Sequence, residues 1–319
     1  MNTSPFVDEY VSFLNGFLRD DAKTLDVVFD CSSGATGPIM EALREKGKRK
    51  KEKREWAILN GQPDGNFPNH APDPLHAGSL RALQKSVVSN GADIGVIFDA
   101  DGDRVFFVDD KGRFVDPDVV AYLLLWSLRP NRFVTDAKDG WLVRRQSLDF
   151  TRDESLLGAK RIAGKTGHYA MKHAMRKNGA EFGCERSGHY YFKNFFYCDS
   201  GIMAAVAVLN ALARLPYALS EFVDLLPETY RSPEINVPVS SSIAPAGMFA
   251  HIERTYKKDA KAISKIDGIA MDFADPDWWF NVRLSNTESL VRLNVEARDK
   301  ATYDAQLKKL TTVLKRGIK

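Results

Sequence analysis

The stretch DIGVIFDADGDRVFFV, residues 93–108, decides the first part of the fold. Apolar residues typical of β-strands flank a short polar loop on both sides, which predicts two buried strands joined by a tight connection. Gly102 lets the backbone turn sharply enough for the carboxylates of Asp99, Asp101 and Asp103 to converge. Carboxylates this close repel one another unless a cation neutralises them, and hard oxygen ligands suit Mg²⁺. The sequence therefore predicts a magnesium site on this loop.

Two other acidic-loop motifs can be compared with this stretch. An EF-hand loop starting at Asp99 requires Gly at its sixth position and Glu at its twelfth, but these positions hold Arg104 and Asp110. The EF-hand is therefore excluded. A haloacid-dehalogenase-like phosphatase also places Asp-x-Asp after a buried strand, with Asp99 as the nucleophile. Because the spacing of Asp99 and Asp101 fits it, this alternative stays open.

Composition limits the class of protein. A chain of 319 residues suggests two or three domains, and 44% hydrophobic with 27% charged residues is typical of a globular protein. The net charge of +3 is too small to indicate nucleic acid or an anionic membrane as the main partner. A basic cluster, KGKRKKEKR at 46–54, is interpreted as a helix end and loop, with a polyanion-binding patch as the alternative.

Compartment signals favour the cytoplasm. Three cysteines without a Cys-x-x-Cys pair do not suggest a secreted disulfide framework. The first ten residues have neither the basic nor the apolar region of a secretory signal. The longest apolar stretches, near 119–128 and 202–209, are too short to span a bilayer. We therefore expect a cytoplasmic protein without a membrane partner.

The order of predicted elements indicates an α/β fold. A strand at 25–30 is followed by a Gly-rich turn and a helix, a further helix is predicted at about 76–90, and strands and helices alternate as far as about residue 230. We predict two consecutive mixed-sheet α/β domains, residues 1–116 and 117–230. From residue 231 four strand-like segments, one of them at 263–273, and two helices predict a smaller α+β C-terminal domain, 231–319, with a mostly antiparallel sheet.

Other polar clusters bear on chemistry. The segment RLSNTESLVR (283–292) offers a guanidinium, two hydroxyls and an amide, which suit a phosphate oxyanion or, alternatively, a polar hairpin turn. CERSGHYYF (184–192) presents a carboxylate, a hydroxyl and an imidazole around Gly188. His168 begins a predicted helix, and Lys138 follows a strand, where functional groups of α/β sheets are often found. Either could transfer protons.

The ordered motifs DGNFPNHAPDP, FDADGDR, DAK, GKTGH, CERSGHYYF and RLSNTE resemble those of the α-D-phosphohexomutases, most closely the bacterial phosphomannomutase/phosphoglucomutase group. The resemblance covers essentially the whole chain. It implies phosphoryl transfer between the 1 and 6 positions of a hexose through a bisphosphorylated intermediate. The implied ligands are mannose or glucose 1- and 6-phosphate, the 1,6-bisphosphate and Mg²⁺.

The same resemblance assigns roles residue by residue. The positions of the family's metal ligands match Asp99, Asp101 and Asp103, and the arginine that lies beside the phosphoryl group matches Arg104. The proton-transfer positions match Lys138 and His168. Contacts to the sugar match Glu185 and Ser187, with His189 in the same loop. The grip on the non-reacting phosphate matches Arg283, Ser285, Asn286 and Thr287.

One departure from the family is large. Its members have a first domain with a phosphoserine loop of the Ser-His-Asn-Pro type, and no such loop occurs in these 319 residues. The first predicted strand already matches the family's second domain, so the sequence resembles domains two, three and four. We expect the chain by itself to bind Mg²⁺ and sugar phosphates but to turn over poorly. A phosphatase and a non-catalytic sugar-phosphate-binding module remain alternatives, and the preferred hexose and the oligomeric state stay open.

Overall fold

The computed structural model describes residues 5–18, 24–47, 56–145, 159–238, 245–285 and 288–316. Within these ranges three β-sheets follow one another along the chain. Most of the basic cluster at 46–54 lies outside the described residues, as do Asn286 and Thr287 of the predicted phosphate loop.

The first sheet carries the acidic loop. Its unit consists of α1 (Pro5–Phe17), β1 (Val27–Asp30), α2 (Gly37–Gly47), β2 (Trp56–Leu59), α3 (Arg81–Asn90), β3 (Ile94–Phe98), β4 (Val105–Asp109) and β5 (Phe114–Val115). The strand order is β2-β1-β3-β4-β5, with β1 parallel to β2 and β3, and with β4 and β5 antiparallel. Every residue of β3 and β4 is buried, which explains their continuous apolar sequences.

The second sheet repeats this mixed design. Its unit consists of α4 (Pro117–Leu128), β6 (Arg132–Thr135), α5 (Trp141–Arg145), β7 (Lys160–Ala163), α6 (His168–Asn178), β8 (Phe182–Cys184), β9 (Tyr190–Phe192), β10 (Cys198–Asp199), α7 (Gly201–Leu212) and α8 (Leu219–Leu225). The strand order is β10-β9-β8-β6-β7, with β6 parallel to β7 and β8, and with β9 and β10 antiparallel.

The third sheet is antiparallel. Its unit consists of β11 (Tyr230–Arg231), β12 (Ile235–Pro238), α9 (Pro245–Tyr256), β13 (Ala262–Ser264), β14 (Ile269–Ala274), β15 (Asp277–Leu284), β16 (Leu290–Ala297) and α10 (Lys300–Arg316). The order is β11-β16-β15-β14-β13, and β12 also pairs with β16. The predicted fold class, two mixed α/β units followed by an antiparallel α+β unit, is confirmed.

Two apolar helices join the first two sheets. Most residues of α4 and α7 are buried, and the two helices pack against each other, while α7 also contacts β3, β4 and α1. A helix that is apolar all round belongs inside a protein. One continuous hydrophobic core therefore serves both α/β units, whereas the third sheet has a core of its own with α9 and α10.

The third sheet meets the second mainly through polar contacts. Arg231 forms ion pairs with Asp118 at the start of α4 and with Glu296 of β16, the latter at 3.4 Å. The backbone N–H of Trp141 donates to Glu296 at 2.8 Å, and the Asp118 carboxylate accepts the N–H of Gly140. These buried charges are paired and hydrogen-bonded, as burial of ions requires.

Two sequence predictions of element bounds were wrong. The helix expected from about residue 76 begins at Arg81, because residues 76–80 form turns in which Ser79 N–H donates to the His76 carbonyl. The segment at 263–273, expected as one strand, contains the end of β13 and most of β14. Gly268 lies between them with φ +72°, a conformation that favours glycine. Among the described residues, every helix is too short or too polar to span a bilayer.

Candidate active site

The acidic loop is a six-residue hairpin connection between β3 and β4, residues 99–104. Asp99 is buried with 2% of its surface exposed, whereas Asp101 is exposed. Asp99 Oδ1 accepts the backbone N–H groups of Gly102 at 3.1 Å and Arg104 at 3.2 Å, and Arg104 Nε donates to Oδ2 at 2.6 Å. These three hydrogen bonds stabilise the loop, because the Asp99 carboxylate accepts donors from later residues of the same turn.

The three predicted metal ligands lie together. One carboxylate oxygen from each of Asp99, Asp101 and Asp103 lies within 4.8 Å of the others. Burial raises the pKa of Asp99 to about 6, although hydrogen bonds from Arg104 oppose this. A buried carboxylate beside two others is a site that a cation stabilises, and three hard oxygen donors match Mg²⁺. The residues present therefore fit this metal.

The hairpin contacts the loop between β8 and β9. Val105 N–H donates to the Gly188 carbonyl at 3.1 Å, and Arg104 and His189 form an isolated β-bridge. His189 Nε2 lies 3.4 Å from Asp103 Oδ2. A hydrogen bond from His189 lowers the pKa of Asp103 to about 2. The third acidic residue of the hairpin is thus held ionised by the neighbouring unit.

His168, the first residue of α6, faces the same carboxylate. Its Nε2 lies 3.7 Å from Asp103 Oδ2, and its Nδ1 lies 2.6 Å from Asp199 Oδ2. Lys172, one turn further along α6, places Nζ 3.6 Å from Asp199 Oδ1. Asp103, His168, His189 and Asp199 each offer a ligand atom within 4.8 Å of one another. The described residues thus bring two imidazoles and two carboxylates to the junction of the first two sheets.

Glu185 is buried behind these imidazoles. It accepts the N–H of Gly167 at 2.9 Å and the Tyr191 hydroxyl at 2.6 Å. The Ser187 hydroxyl and His189 Nδ1 lie 2.8 Å apart, and His189 Nδ1 is 3.8 Å from Glu185. Burial lowers the pKa of His189, but the hydrogen bond to Asp103 and the charge of Glu185 together raise it above its ordinary value.

Lys138 follows β6 at its carboxyl end. Its Nζ lies 3.6 Å from Asp136 Oδ2, and its backbone N–H donates to Asp136 Oδ1 at 3.0 Å. Burial raises the pKa of Asp136 to about 6. The positive charge of Lys138 opposes this rise, and the negative charge of Glu185 adds to it. The Thr166 hydroxyl donates to Asp136 Oδ2 at 3.5 Å, and the N–H of the next residue, Gly167, donates to Glu185, so the segment 166–167 connects Lys138 with the loop at 184–189.

Of the predicted phosphate-binding residues, Arg283 lies in β15 and Ser285 directly follows this strand. Arg283 is buried, and its Nη2 lies 3.0 Å from Glu234 Oε2. Ser285 N–H donates to the Leu290 carbonyl at 2.9 Å. The charges of Arg283 and Lys138 both lower the pKa of Glu234.

The predicted site residues therefore form a connected series among the described parts of the chain. Asp103 contacts His189, and His189 contacts Glu185. Glu185 accepts the N–H of Gly167, and the adjacent Thr166 donates to Asp136 beside Lys138. Three residues that these contacts add to the site were not predicted from the sequence: Asp199, Lys172 and Glu234. Asp199 is the last residue of β10 and directly precedes Ser200, which caps α7, and this position at a strand end is the one local signal that could have found it.

The fold and the site together define a multidomain α/β protein in which an acidic hairpin meets a histidine-bearing loop at the junction of two sheets. Three family models match in order: phosphoglucomutase/phosphomannomutase alpha/beta/alpha domain II at residues 6–112, alpha/beta/alpha domain III at 147–230, and the C-terminal domain at 234–312. The chain belongs to the phosphoglucomutase/phosphomannomutase family. The resemblance recognised from the motifs is thereby confirmed.

Curated relatives agree with this family. A phosphomannomutase of Escherichia coli K12 is 35% identical over 314 residues, and one of Salmonella typhimurium is 34% identical over 312 residues. Each alignment covers 96% of this chain and 66% of the relative, so the chain spans just under two thirds of the relatives' length.

Solved structures share the fold. A phosphoglucomutase/phosphomannomutase family protein from Burkholderia thailandensis has a TM-score of 0.77 at 27% identity, covering 98% of this chain and 64% of that one. An Aspergillus fumigatus N-acetylphosphoglucosamine mutase, solved with GlcNAc-6P and magnesium, has a TM-score of 0.67 at 17% identity and covers 98% and 66%. At 17% identity, the Aspergillus fumigatus structure supports only the fold of this chain.

Proposed function

We propose that this chain binds hexose phosphates, of mannose or glucose, and takes part in Mg²⁺-assisted phosphoryl transfer between the 1 and 6 positions. The observation that carries this proposal is the contact of the acidic hairpin with the loop at 184–189, through Asp103 and His189. It supports the proposal because it brings three carboxylates that fit a cation next to the side chains assigned to the sugar hydroxyls. Curated relatives named phosphomannomutase support the reaction class.

In this proposal Asp99, Asp101 and Asp103 hold Mg²⁺. When bound, the metal supplies charge stabilisation for the transferring phosphoryl group. Arg104 serves the same end, because its guanidinium is already oriented by Asp99 at 2.6 Å and by Asp73 at 3.3 Å. A guanidinium fixed in this way needs little reorganisation to bind a phosphoryl oxygen.

Proton transfer is assigned to His168 and Lys138. His168 Nδ1 lies 2.6 Å from Asp199 Oδ2, and this carboxylate holds the imidazole beside Asp103. Lys138 is held by Asp136 at the end of β6. Each group therefore has a carboxylate that orients it, which is the arrangement that general acid–base catalysis uses.

Substrate binding is assigned to two loops. Glu185 and Ser187, with His189, bind the sugar hydroxyls, and Arg283, Ser285, Asn286 and Thr287 bind the phosphate that does not react. A clamp that reads only a phosphate and hydroxyls works from either end of the sugar, so the intermediate can turn around.

The phosphatase alternative is disfavoured by the surroundings of Asp99. That mechanism requires a free carboxylate oxygen for attack on phosphorus. Asp99 Oδ1 accepts two backbone N–H groups, Oδ2 accepts Arg104 Nε, and the residue is buried. Because both oxygens accept hydrogen bonds in this buried position, attack by Asp99 on phosphorus is disfavoured.

A single experiment separates the candidates. The 319-residue chain is incubated with Mg²⁺ and glucose 1-phosphate or mannose 1-phosphate, with and without glucose 1,6-bisphosphate, and followed by phosphorus NMR. We expect binding by calorimetry but slow appearance of the 6-phosphate, because these 319 residues contain no matching donor serine. Release of inorganic phosphate instead would favour the phosphatase, and binding without any transfer would favour a non-catalytic module.

Further parts of the proposal concern organisation. We propose domain boundaries at 1–116, 117–230 and 231–319, since the three sheets fall in these intervals apart from Tyr230, the first residue of β11. A cytoplasmic location and the absence of nucleic-acid or membrane partners stay predictions. Fractionation of cells that produce the chain, with immunodetection, tests the location.

A further inference from the structure

Two histidines approach one carboxylate oxygen at the junction of the first two sheets. His189 Nε2 lies 3.4 Å and His168 Nε2 lies 3.7 Å from Asp103 Oδ2. The two imidazole rings meet edge to face, with 4.7 Å between their centroids. Both N···O distances exceed the range of about 2.7–3.2 Å that is usual for a hydrogen bond. They are close to the roughly 3.4 Å between neighbouring ligand atoms of a tetrahedral ion with metal–ligand bonds of about 2.1 Å.

Asp199 adds a carboxylate oxygen that lacks a hydrogen bond. Its side chain is 6% exposed, and among the described residues its buried Oδ2 has no hydrogen-bond partner, although it lies 2.6 Å from His168 Nδ1. Lys172 faces the other oxygen, with Nζ 3.6 Å from Oδ1. Buried carboxylate oxygens normally accept hydrogen bonds, and one without a donor indicates a place where an ion or a water binds. Oδ2 is therefore available to a cation.

Four residues together form what we call the histidine–aspartate cluster: Asp103, His168, His189 and Asp199. One ligand atom from each lies within 4.8 Å of the others. Two imidazole nitrogens with two carboxylate oxygens suit Zn²⁺, Co²⁺ and similar ions, whereas the three carboxylates of the acidic hairpin suit Mg²⁺. Four donors are also the number that a tetrahedral ion takes, and two carboxylates balance the charge of a divalent ion.

The surroundings of the cluster orient one ligand and leave a path for an ion. The Ser187 hydroxyl lies 2.8 Å from His189 Nδ1, so a neighbouring side chain holds this ring. Metal-binding histidines are typically oriented through their second ring nitrogen in this way. The His168 side chain is 47% exposed and that of Asp103 is 29% exposed. An ion can therefore reach the cluster from solvent without opening the fold.

We propose that the histidine–aspartate cluster binds a divalent transition ion such as Zn²⁺ or Co²⁺, and that it shares only Asp103 with the acidic hairpin. The inference does not rest on the proposed function, because it concerns donor atoms that the fold brings together. It has a consequence for that function, since a bound ion occupies the imidazoles assigned to proton transfer and to the sugar. A transition ion at this site therefore inhibits the proposed reaction.

Metal titrations of the full chain test the site. Co²⁺ binding to the metal-free protein is followed by visible absorption, and Zn²⁺ binding is measured by calorimetry without Mg²⁺. Tetrahedral Co²⁺ absorbs more strongly than octahedral Co²⁺, so we expect an intense visible band that equimolar Zn²⁺ removes. His168→Gln and Asp199→Asn each remove one donor. We expect each to bind Zn²⁺ at least roughly ten-fold more weakly, because even changes to residues that only orient a ligand cost about that much.

Two matched variants locate the ion. His173→Gln makes the same change as His168→Gln at an exposed position of the same helix, and it should leave the Zn²⁺ affinity unchanged. Asp101→Asn removes a carboxylate that belongs to the hairpin and not to the cluster. It should weaken Mg²⁺ binding and leave the cobalt spectrum as it is. Circular dichroism establishes that each variant is folded.

The inference is overturned if the unmodified chain gives no tetrahedral cobalt spectrum, or if either His168→Gln or Asp199→Asn binds Zn²⁺ as tightly as the unmodified chain. Loss of the spectrum in Asp101→Asn would place the ion on the hairpin and overturn it as well. A thiolate-to-cobalt absorption band would place the ion on a cysteine such as Cys198, with the same result. Failure to bind sugar phosphates changes none of these outcomes, so the two proposals fail independently.

Discussion

His189 Nε2 lies 3.4 Å from Asp103 Oδ2, and this contact joins two units whose sheets are built separately. The imidazole comes from the loop between β8 and β9, and the carboxylate comes from the hairpin between β3 and β4. Because both residues are predicted site residues, the contact connects the candidate cation site with the candidate sugar site. Its strength should depend on pH, which gives the first prediction.

His189→Gln should destabilise the protein more at pH 6 than at pH 9. The folded-state pKa of His189 is raised above the ordinary value of 6.5, so the charged imidazole stabilises the fold fully below that value. The stabilisation is lost as pH rises through the folded-state pKa, while Asp103 stays ionised. We expect a difference in free energy of unfolding on the order of 1 kcal/mol between the two pH values, since the pair is only partly buried.

Urea unfolding in the presence of a chelator measures this difference. His173, exposed on α6, provides the control, and His173→Gln should show no such pH dependence. Equal destabilisation by His189→Gln at both pH values would mean that the ion pair with Asp103 contributes nothing.

Asp101→Asn should abolish most of the stabilisation by Mg²⁺ without changing the stability of the metal-free protein. Asp101 is exposed, so replacing its carboxylate with an amide breaks no buried interaction. The substitution does remove one of the three converging carboxylates. Saturation at a hundred times the dissociation constant stabilises a protein by about 2.7 kcal/mol. Melting curves with Mg²⁺ or chelator test this, with Asp304→Asn on α10 as the control. An unmodified protein that does not respond to Mg²⁺ contradicts the metal site.

Gly188→Ala should disrupt the junction between hairpin and sugar loop. Gly188 has φ +90°, and an added Cβ would lie 2.7 Å from Cζ of the buried Phe106. Strain and overpacking together predict a loss of at least about 2 kcal/mol. Gly16 is the matched control, because a Cβ there meets nothing within 4 Å and Gly16→Ala should not destabilise. Equal stabilities of the two variants in denaturant titrations would contradict this account of the junction.

The acidic hairpin was predictable because all its information is local. Strand-forming apolar residues lie on both sides of the loop, and three carboxylates and a glycine lie within its six residues. The metal-ligand prediction needed no knowledge of distant contacts. The predicted bounds of elements were wrong where local signals are weak. Residues 76–80, for example, contain no proline and were predicted to be helical, but they form turns.

The partners of the site residues were not predictable in this way. Asp199 meets His168 because β10 lies beside β9, and Glu234 meets Arg292 because β12 and β15 flank β16. A single acidic residue has no local feature that distinguishes it from a surface charge. Pairings across sheets depend on the register of strands that lie far apart in the sequence.

Asp136 is a buried carboxylate beside Lys138. Burial raises the pKa of Asp136 to about 6 from the ordinary value of 3.8, so the folded state binds more protons than the unfolded state between these values. Stability therefore falls as pH rises from about 4 to 6, and this group costs roughly 3 kcal/mol at neutral pH. Asp136→Asn removes the titration, while its amide oxygen can still accept the Lys138 N–H.

We expect Asp136→Asn to be more stable than the unmodified protein at pH 7 and to lose that advantage by pH 4, when Asp136 is protonated in the folded protein. Chemical unfolding at half-unit pH intervals measures the difference, with the exposed Asp304→Asn as control. The gain in stability should be accompanied by weaker function, because Lys138 loses the charge that holds its ammonium group at the end of β6. A variant that is less stable at pH 7 than at pH 4, relative to the unmodified protein, would show that the ion pair with Lys138 outweighs the burial of Asp136.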